Sequence, residues 1–341
     1  MTVTTVELTF SDREVVSFIA DRSMSLMEAA AKNGVRLASD CMSGTCQTCK
    51  CEMASGKIAY EDEDEIALND GERAAGAILP CQAKPVSDVI RLSLPYTRIS
   101  QLPRRSRKLV ITAIRRVSDS VFEVVGKCQG GRMFAFLPGQ YVNLRVPGTD
   151  AIRSYSMMTP PEQEEVGFLI RALPNGAMST YLSASAKAGD VLSMTGPFGT
   201  FYRRRETGTC IMIAGGTGLA PMLSMLRERA RRRDTDGPVV IAFGVNTDRD
   251  LFYRNELEAL KAIFPGLRVL VAAISHGDDW QDATGTAVDL VTSDLISPPP
   301  TATAYLCGPP AMVEGARRKL LDMGMSRQQI FAEEFQPTGA N

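Results

Sequence analysis

The sequence predicts a chain of several domains that combines α+β and α/β folds, and three observations carry that prediction. Its 341 residues suffice for two or three domains at about 100–200 residues each. Residues 109–205 are rich in short strand signals with turn residues between them, whereas strand and helix patterns alternate from Gly208 onward. Four of the eight cysteines fall within residues 40–51, which sets the N-terminal segment apart.

The N-terminal segment, residues 1–97, is predicted to form one small domain. TVELTF and EVVSFIA are rich in β-branched residues and predict a hairpin of two strands. MSLMEAAAKNG predicts a helix that ends at Gly34. The segment 94–108, LPYTRISQLPRRSRK, mixes proline with a basic run and predicts a linker to the next domain.

Residues 98–205 predict an antiparallel β-barrel or sandwich, with one helix near MSTYLSASAKAG. Its strands are expected at LVITAIRRV, VFEVVGKC, QYVNLRV, RSYSM, VGFLIRAL and VLSMTG. Residues 206–341 predict a parallel sheet with helical crossovers, because CIMIAGG, VVIAFGV, RVLVAAIS and TATAYLCGP alternate with helical patterns. Residues 207–226 lack charge and could span a bilayer by length, but GGTG and a proline favour a strand, a turn and a helix.

Charge and cysteine content limit which partners this chain can bind and which cellular compartment suits it. The net charge of −1 gives no electrostatic case for binding nucleic acid. Residues 1–97 carry nine basic and fifteen acidic residues, and their acidic run at 61–65 is read as a solvated surface, with a docking face for a charged partner as the alternative. No basic segment followed by an apolar core opens the chain. Eight cysteines without a secretory signal then favour a reducing, cytoplasmic location and no membrane contact.

The cysteine spacing predicts a 2Fe-2S cluster. Three cysteines follow the pattern C-x4-C-x2-C and a fourth follows after 31 intervening residues, which is the plant-type arrangement. The predicted ligands are Cys41, Cys46, Cys49 and Cys81. A zinc ribbon would need a second C-x-x-C knuckle, and disulfides conflict with a reducing compartment. Gly44 is expected to adopt a positive φ that brings backbone amides to the sulfurs, and Cys51 breaks the spacing and reads as a buried thiol.

DCMSGTCQTC followed by LPC resembles the ferredoxin domain of reductases that serve bacterial ring-hydroxylating dioxygenases, of the benzoate and anthranilate type. Further motifs extend this resemblance over nearly the whole chain, in the same order. It implies a β-grasp 2Fe-2S domain over residues 1–97, an FAD-binding barrel over 98–205 and an NAD-binding α/β domain over 206–341.

Two motifs in the barrel segment resemble the flavin site of the ferredoxin–NADP reductase superfamily. In RSYS the resemblance implies that Arg153 binds a flavin phosphate, Tyr155 packs on the ring and Ser156 lies near flavin N5. In NGAMST it implies a helix N-terminus that faces the pyrophosphate, with binding positions Gly176, Met178 and Ser179. Taken alone, the second motif favours an ordinary helix cap, and its position after RSYS favours phosphate binding.

Three further motifs resemble the nicotinamide site of the same superfamily. AGGTGLAP lacks the G-x-G-x-x-G fingerprint but matches the glycine turn of these reductases, with Thr217 near the nicotinamide among Gly215, Gly216 and Gly218. CGPPAM implies Cys307 beside the carbon that releases hydride, and a buried core thiol is the alternative. FAEEF implies Glu333 and Phe335 near the flavin, and an edge strand with one buried Phe is the alternative.

The motifs together predict the reaction. Cys307, Ser156, Thr217 and Glu333 are the candidate catalytic residues. The resemblance favours NADH over NADPH, because NADPH-specific members have an arginine after a serine at the end of the third strand, where this chain has Ser275-His276. Asp248 and Asp250 would repel a 2′-phosphate, whereas Arg249 would attract one.

The resemblance implies electron flow from NADH through FAD and the cluster to the Rieske centre of a terminal aromatic-ring dioxygenase. A reductase of a di-iron monooxygenase and an iron–sulfur redox sensor stay open as alternatives. The single histidine, His276, excludes a two-histidine Rieske site on this chain.

Overall fold

A computed structural model describes residues 2–131, 133–205, 208–296 and 301–335. The chain forms two compact units, one ending at Pro103 and including Phe198–Thr200, the other made of Arg104–Pro197 and the residues from Phe201 onward. The division into domains at 97 and 205 stays a prediction, and position 206 lies outside the described residues.

The first unit is built on a mixed five-stranded sheet in the order β2-β1-β7-β3-β5. Strands β1 and β2 form the predicted antiparallel hairpin, and β7 runs parallel to β1. The elements are β1 (Val3–Thr9), β2 (Val15–Asp21), α1 (Leu26–Lys32), β3 (Cys51–Ser55), β4 (Ile58–Ala59), α2 (Asp70–Ala74), β5 (Ala77–Ile78), β6 (Lys84–Pro85) and β7 (Val89–Ser93). This is the expected β-grasp arrangement, in which a helix follows a hairpin and packs on the sheet.

Helix α1 starts and stops where the sequence predicts. The Ser25 hydroxyl accepts a hydrogen bond from the amide of Glu28, whose carboxylate accepts one from the amide of Ser25. This reciprocal cap satisfies two amides that the first turn leaves without partners. Gly34 has φ +74°, a left-handed conformation that ends the helix at little steric cost.

The predicted linker over 94–108 contains the boundary between the two units, at Pro103 and Arg104, but its two ends are structured. Leu94 and Tyr96 are buried, and the Tyr96 hydroxyl accepts a hydrogen bond from the amide of Ala38 at 3.0 Å. At the other end, Arg105 already begins a long strand. The prolines and charges of this segment concealed an alternation of buried and exposed side chains.

The second unit begins with a six-stranded sheet in the order β11-β10-β13-β8-β9-β12. The registers of β8 with β9 and β13, of β9 with β12 and of β10 with β11 are antiparallel. A bridge between Met157 and Phe168 joins the two edges, so the sheet closes into the predicted barrel. The elements are β8 (Arg105–Ser118), β9 (Val121–Cys128), β10 (Tyr141–Arg145), β11 (Ile152–Ser156), β12 (Glu165–Arg171), α3 (Ala177–Ala184) and β13 (Val191–Phe198).

The rest of the second unit is a parallel sheet in the order β17-β16-β15-β14-β18-β19. Along β14, Met212 and Ala214 face one apolar core while Ile211 and Ile213 face the other, so both faces are covered. The elements are β14 (Cys210–Gly215), α4 (Leu219–Arg231), β15 (Val239–Thr247), α5 (Arg254–Leu260), β16 (Leu267–Ser275), β17 (Ala283–Thr284), β18 (Thr303–Gly308), α6 (Pro310–Asp322) and β19 (Ile330–Glu334).

The parallel sheet has a topological switch point between β14 and β18. From β14 the chain adds β15 and β16 on one side, and it returns to place β18 and β19 on the other. Ligands of such sheets bind outside the carboxyl ends of the strands at this point. None of the helices among the described residues is both long enough and apolar enough to span a membrane.

Candidate functional site

The four predicted cluster cysteines form two pairs of thiols, Cys41 with Cys46 and Cys49 with Cys81. Cys41, Cys46 and Cys49 lie in the loop between α1 and β3, and Cys81 follows β5. The Cys49 thiol donates a hydrogen bond to the sulfur of Cys81 at 3.4 Å. A hydrogen bond from Cys46 lowers the pKa of Cys41 to about 3, and the bond from Cys49 lowers the pKa of Cys81. In each pair the donated hydrogen bond therefore favours the thiolate form of the accepting cysteine, which is the form that binds iron.

The loop around these cysteines directs backbone amides at their sulfurs. Sγ of Cys41 accepts from the amides of Ser43 and Cys46, both at 3.4 Å. Gly44 has φ +80° as expected, and an added Cβ would lie 2.9 Å from Cδ1 of Ile66. The Gly44 carbonyl accepts a hydrogen bond from the amide of Ala67, which follows the acidic run, so that run packs beside the loop.

Cys51 lies apart from the two thiol pairs. It is buried in β3 and pairs with Ile78 of β5. Burial raises the pKa of its thiol. These observations fit the predicted buried thiol.

The residues of the RSYS motif lie along β11. The guanidinium of Arg153 donates to the carbonyl of Ile152 at 2.9 Å and forms no ion pair with any carboxylate that the structure describes. Tyr155 packs its ring against the barrel core, and burial raises its pKa. Ser156 is buried, and its hydroxyl donates to Oε2 of Glu333 at 2.8 Å.

The NGAMST motif opens helix α3 as expected. Gly176 is the N-cap residue and supplies no side-chain cap, so the amides of the first turn have neither an intrahelical partner nor a capping side chain. The Ser179 hydroxyl accepts from the amide of Leu173 at 2.8 Å and shapes the turn before the helix. The side chain of Met178 is buried in the barrel core.

The glycine turn after β14 lies directly on the turn after β18. The carbonyl of Cys307 and the amide of Gly308 lie against Gly218, where an added Cβ would overlap them. Gly215 packs on Met312, and an added Cβ there would lie 2.7 Å from its sulfur. Thr217 sits in the short 3-10 turn Gly216–Gly218 and is partly exposed.

Replacing Gly218 by alanine is expected to lower the free energy of unfolding by about 3 kcal/mol, because the methyl group would overlap the Cys307 carbonyl. Urea unfolding of both variants is the measurement. Gly315→Ala in α6 is the control, since an added Cβ there meets nothing within 4 Å. A similar stability for both variants would contradict the packing of the two turns.

Glu333 connects the switch point to the barrel. In the register of β18 with β19 it lies opposite Cys307, and it is bonded to Ser156 on β11. Burial raises the pKa of Glu333 to about 8, although the Ser156 hydrogen bond acts in the opposite direction. Burial, and then the Glu333 carboxylate, raise the pKa of the Cys307 thiol.

The last predicted site residue, Phe335, directly follows strand β19, which carries Glu333. The amide of Phe335 donates to the carbonyl of Gly308 at 3.0 Å, and its ring packs against a core of the parallel sheet. Strand β19 is also an edge strand, which is what the alternative interpretation of FAEEF predicts. Residues 336–341 lie outside the described part of the chain.

The sequence reasoning missed the surroundings of His276. Its ring stacks on Trp280 at a centroid distance of 5.8 Å, and Nε2 lies 2.7 Å from the Thr284 hydroxyl. Next to it, Oδ2 of Asp248 accepts a hydrogen bond from the amide of Gly277 at 3.1 Å, and this bond lowers the pKa of Asp248. The only signal was that a lone histidine and a lone tryptophan fall four residues apart.

Three family models match the chain in the expected order. The model for 2Fe-2S iron-sulfur cluster binding domains matches residues 10–86. The model for oxidoreductase FAD-binding domains matches residues 108–202. The model for oxidoreductase NAD-binding domains matches residues 212–318. The predicted fold class and cofactors, a 2Fe-2S cluster, FAD and a nicotinamide dinucleotide, are thereby confirmed.

Relatives match over almost the whole chain. The toluate 1,2-dioxygenase electron transfer component of Pseudomonas putida is 34% identical over 94% of this chain and 95% of its own length. The 2-halobenzoate 1,2-dioxygenase electron transfer component of Burkholderia cepacia is 33% identical over 98% of this chain and 99% of its own length. Among solved structures, the Amycolatopsis cytochrome P450 reductase GcoB has a TM-score of 0.74 and 29% identity, covering 98% of this chain and 100% of that one. This chain belongs to the family of three-domain reductases that form the electron transfer components of such oxygenase systems.

Proposed function

We propose that this chain takes a hydride from NADH and passes the electrons through FAD and a 2Fe-2S cluster to the Rieske centre of a terminal dioxygenase that acts on an aromatic ring. The observation that carries the proposal is the contact of Ser156 with Glu333, opposite Cys307. It brings a residue of the FAD-binding segment to the nucleotide-binding switch point. When bound, FAD supplies the exchange between paired and single electrons.

For the cluster we assign Cys41 with Cys46 and Cys49 with Cys81 as two pairs of iron ligands. Two pairs of thiols fit a cluster of two irons, because each iron would take two of the four thiolates. The amides of Ser43 and Cys46 would donate to a bound sulfur and help to set the reduction potential.

For the flavin we assign Arg153 to the phosphates and Tyr155 to the ring. The guanidinium of Arg153 has no carboxylate partner among the described residues, so its charge is available for an anion. Gly176, Met178 and Ser179 would present first-turn amides of α3 to the same phosphates. Ser156 would lie at the reactive edge of the ring, next to the Glu333 carboxyl that can hold a proton.

For the nicotinamide we assign the turn from Gly215 to Gly218, which contains the partly exposed Thr217, and the thiol of Cys307. The two turns pack so closely that the backbone at Gly218 is fixed by the strand that carries Cys307. Phe335, anchored through its amide to Gly308, would line the same side of the switch point.

NADH is proposed as the natural nucleotide, and Asp248 is the residue that selects it. Replacing Asp248 by asparagine is expected to raise kcat/KM for NADPH relative to NADH by about tenfold, ~1.4 kcal/mol, because the carboxylate would repel a 2′-phosphate. The measurement is ferricyanide reduction with each nucleotide. Asp62→Asn makes the same charge change in the acidic run of the first unit and should leave the ratio unchanged. An unchanged ratio in Asp248→Asn would remove Asp248 from the nucleotide site.

The dioxygenase partner is supported by the names of the two relatives, whose systems act on toluate and 2-halobenzoate. A plant-type cluster near about −400 mV would reduce a Rieske centre at about −150 to +300 mV in a downhill step. The solved P450 reductase favours a second candidate, an oxygenase with a different iron centre, such as a cytochrome P450. A di-iron monooxygenase belongs to the same second group.

A cytoplasmic location would keep the cluster thiols reduced.

Anaerobic stopped-flow mixing of the full-length protein with NADH tests the order of transfer. We expect flavin absorbance to bleach first, and the signal of a reduced cluster to follow in electron paramagnetic resonance. Added Rieske dioxygenase should then be reduced faster than added cytochrome P450. A cluster that NADH reduces in flavin-free protein, or a protein inert toward NADH, would refute the proposal.

A further inference from the structure

Helix α4 binds the segment that follows β11 through three side chains on one of its faces. Ser224, Arg227 and Arg231 are spaced by three and four residues, so they form a single stripe along the helix. The segment that they contact comprises residues 158–162, just after the RSYS strand. Neither the stripe nor the segment includes any of the assigned cofactor positions.

The first two side chains of the stripe bind backbone carbonyls. The hydroxyl of Ser224, which is fully buried, donates to the carbonyl of Thr159 at 2.7 Å. Nη1 of Arg227 donates to the carbonyl of Met158 at 3.0 Å. A carbonyl beside a fully buried donor has no ready substitute partner in water, so the Ser224 bond in particular constrains the backbone.

The third side chain of the stripe makes a weaker contact. Arg231 donates to Oε2 of Glu162 at 2.9 Å, and the Glu162 side chain is 60% exposed. Exposed ion pairs contribute little to stability because water and salt screen them. Arg231 therefore provides an internal comparison for the two inner bonds.

Both ends of this connection lie close to assigned cofactor positions. Met158 and Thr159 are the second and third residues after Ser156, so they lie within about 10 Å of it along the chain. Helix α4 begins at Leu219, directly after the glycine turn, and Ser224 lies roughly 8 Å further along the helix. The two bonds thus join the flavin strand to the nicotinamide turn through short, regular segments.

A packing contact connects the same helix to the neighbouring strand. Met225 lies on Gly139, where an added Cβ would be 2.6 Å from Cε of the methionine. Gly139 has φ +109° and comes two residues before Tyr141, which pairs with Ser156 in the register of β10 with β11. Helix α4 therefore contacts the chain just before β10 and just after β11, on both sides of Ser156.

We propose that Ser224 and Arg227 are positioning residues for hydride transfer, which set the approach of the nicotinamide turn to the flavin through the two carbonyls. The inference rests on the proposed function and adds residues that lie outside both assigned cofactor sites. Hydride transfer depends steeply on the separation of donor and acceptor, and a misplacement of about 1 Å can cost about a hundredfold in rate. Loss of either bond should therefore slow the chemical step and leave binding intact.

The kinetic test uses three variants of the full-length holoprotein. Arg227→Met removes the donor to Met158, Arg227→Lys keeps a donor, and Arg231→Met makes the same change at the exposed end of the stripe. With saturating NADH in anaerobic stopped flow, Arg227→Met should slow flavin bleaching by about tenfold. Arg227→Lys should recover most of that rate, and Arg231→Met should stay within about twofold of wild type.

Two measurements separate positioning from a general structural defect. The Kd for NAD+ and the FAD content should stay within about twofold of wild type in all three variants, so the loss falls on the rate at saturation rather than on binding. NADH deuterated at the transferred position should slow bleaching in Arg227→Met, which identifies hydride transfer as the affected step.

Hydrogen exchange of the full-length protein without nucleotide gives a readout besides catalysis. The amide of Met158 donates to the carbonyl of Gly167 at 2.9 Å, so its exchange reports on the segment after β11. Ser224→Ala and Arg227→Met should each speed exchange of that amide by about tenfold, whereas Arg231→Met should leave it unchanged.

The proposal is overturned if Arg227→Met bleaches at the wild-type rate, if Arg227→Lys is equally slow, or if Arg231→Met is slowed as much. Weakened NAD+ binding that accounts for the lost rate, or unchanged hydrogen exchange in Arg227→Met, would overturn it as well. If Ser224→Ala does not fold, the Arg227 variants decide alone. Failure of the proposed function would look different, because NADH would then not reduce the wild-type protein.

Discussion

The Cys81→Ser variant should lose at least about a hundredfold of the NADH-driven reduction of cytochrome c, an acceptor that draws single electrons from the cluster. Cys81 is the acceptor in the Cys49–Cys81 pair, and it is the only one of the four thiols that lies outside the loop between α1 and β3. Without it one iron would lose half of its proposed protein ligands. Reduction of ferricyanide, which can take electrons from the flavin directly, should stay within about twofold of wild type because the flavin site is untouched.

Cys51→Ser is the matched control, since Cys51 is also a buried thiol, close to the other cysteines in sequence. It lies outside the two thiol pairs, so the visible spectrum of the cluster should persist and cytochrome c reduction should be retained. If Cys51→Ser lost the cluster and Cys81→Ser kept it, the ligand assignment would be wrong. Iron content measured on both variants distinguishes loss of the cluster from loss of electron transfer alone.

Local chemistry made much of this molecule predictable. The spacing of Cys41, Cys46 and Cys49 forces three thiols into one loop, and Gly44 has the left-handed φ that such a loop requires. The Ser25 cap and Gly34 mark both ends of α1 because capping depends on neighbours within a few residues. The apolar runs of β14 and β18 predicted buried parallel strands, since both faces of such strands are covered.

Contacts between distant segments were not predictable in the same way. Ser156 and Glu333 are separated by 177 residues, and only the fold brings the hydroxyl to the carboxylate. Helix α4 likewise reaches the segment after β11 only through the fold. The predicted linker 94–108 contains the boundary between the two units, but its prolines and arginines obscured two buried residues at its start, Leu94 and Tyr96. Composition alone does not distinguish an exposed linker from a segment whose side chains are partly buried against the adjacent domain core.

We expect Glu333 to make the free energy of unfolding decrease as the pH rises. The carboxyl of glutamate ordinarily titrates near 4.5, whereas burial raises the pKa of Glu333 to about 8. Between these two values the folded protein keeps a proton that the unfolded chain has released. The free energy of unfolding therefore decreases with pH across this window, and the loss is complete only above the folded pKa. A shift from 4.5 to about 8 corresponds to a difference on the order of 5 kcal/mol.

Replacing Glu333 by glutamine should remove that part of the pH dependence, because the amide cannot ionise and its oxygen still accepts from the Ser156 hydroxyl. Urea unfolding at pH 5.5 and at pH 8.5 measures the slope for each protein. Glu334→Gln, an exposed neighbour on the same strand, should keep the slope of wild type. Equal slopes in wild type and Glu333→Gln would mean that Glu333 is already ionised at pH 5.5. In that case the carboxyl beside Cys307 could not serve as a proton store at neutral pH, and the role proposed for it next to the flavin would have to pass to another group.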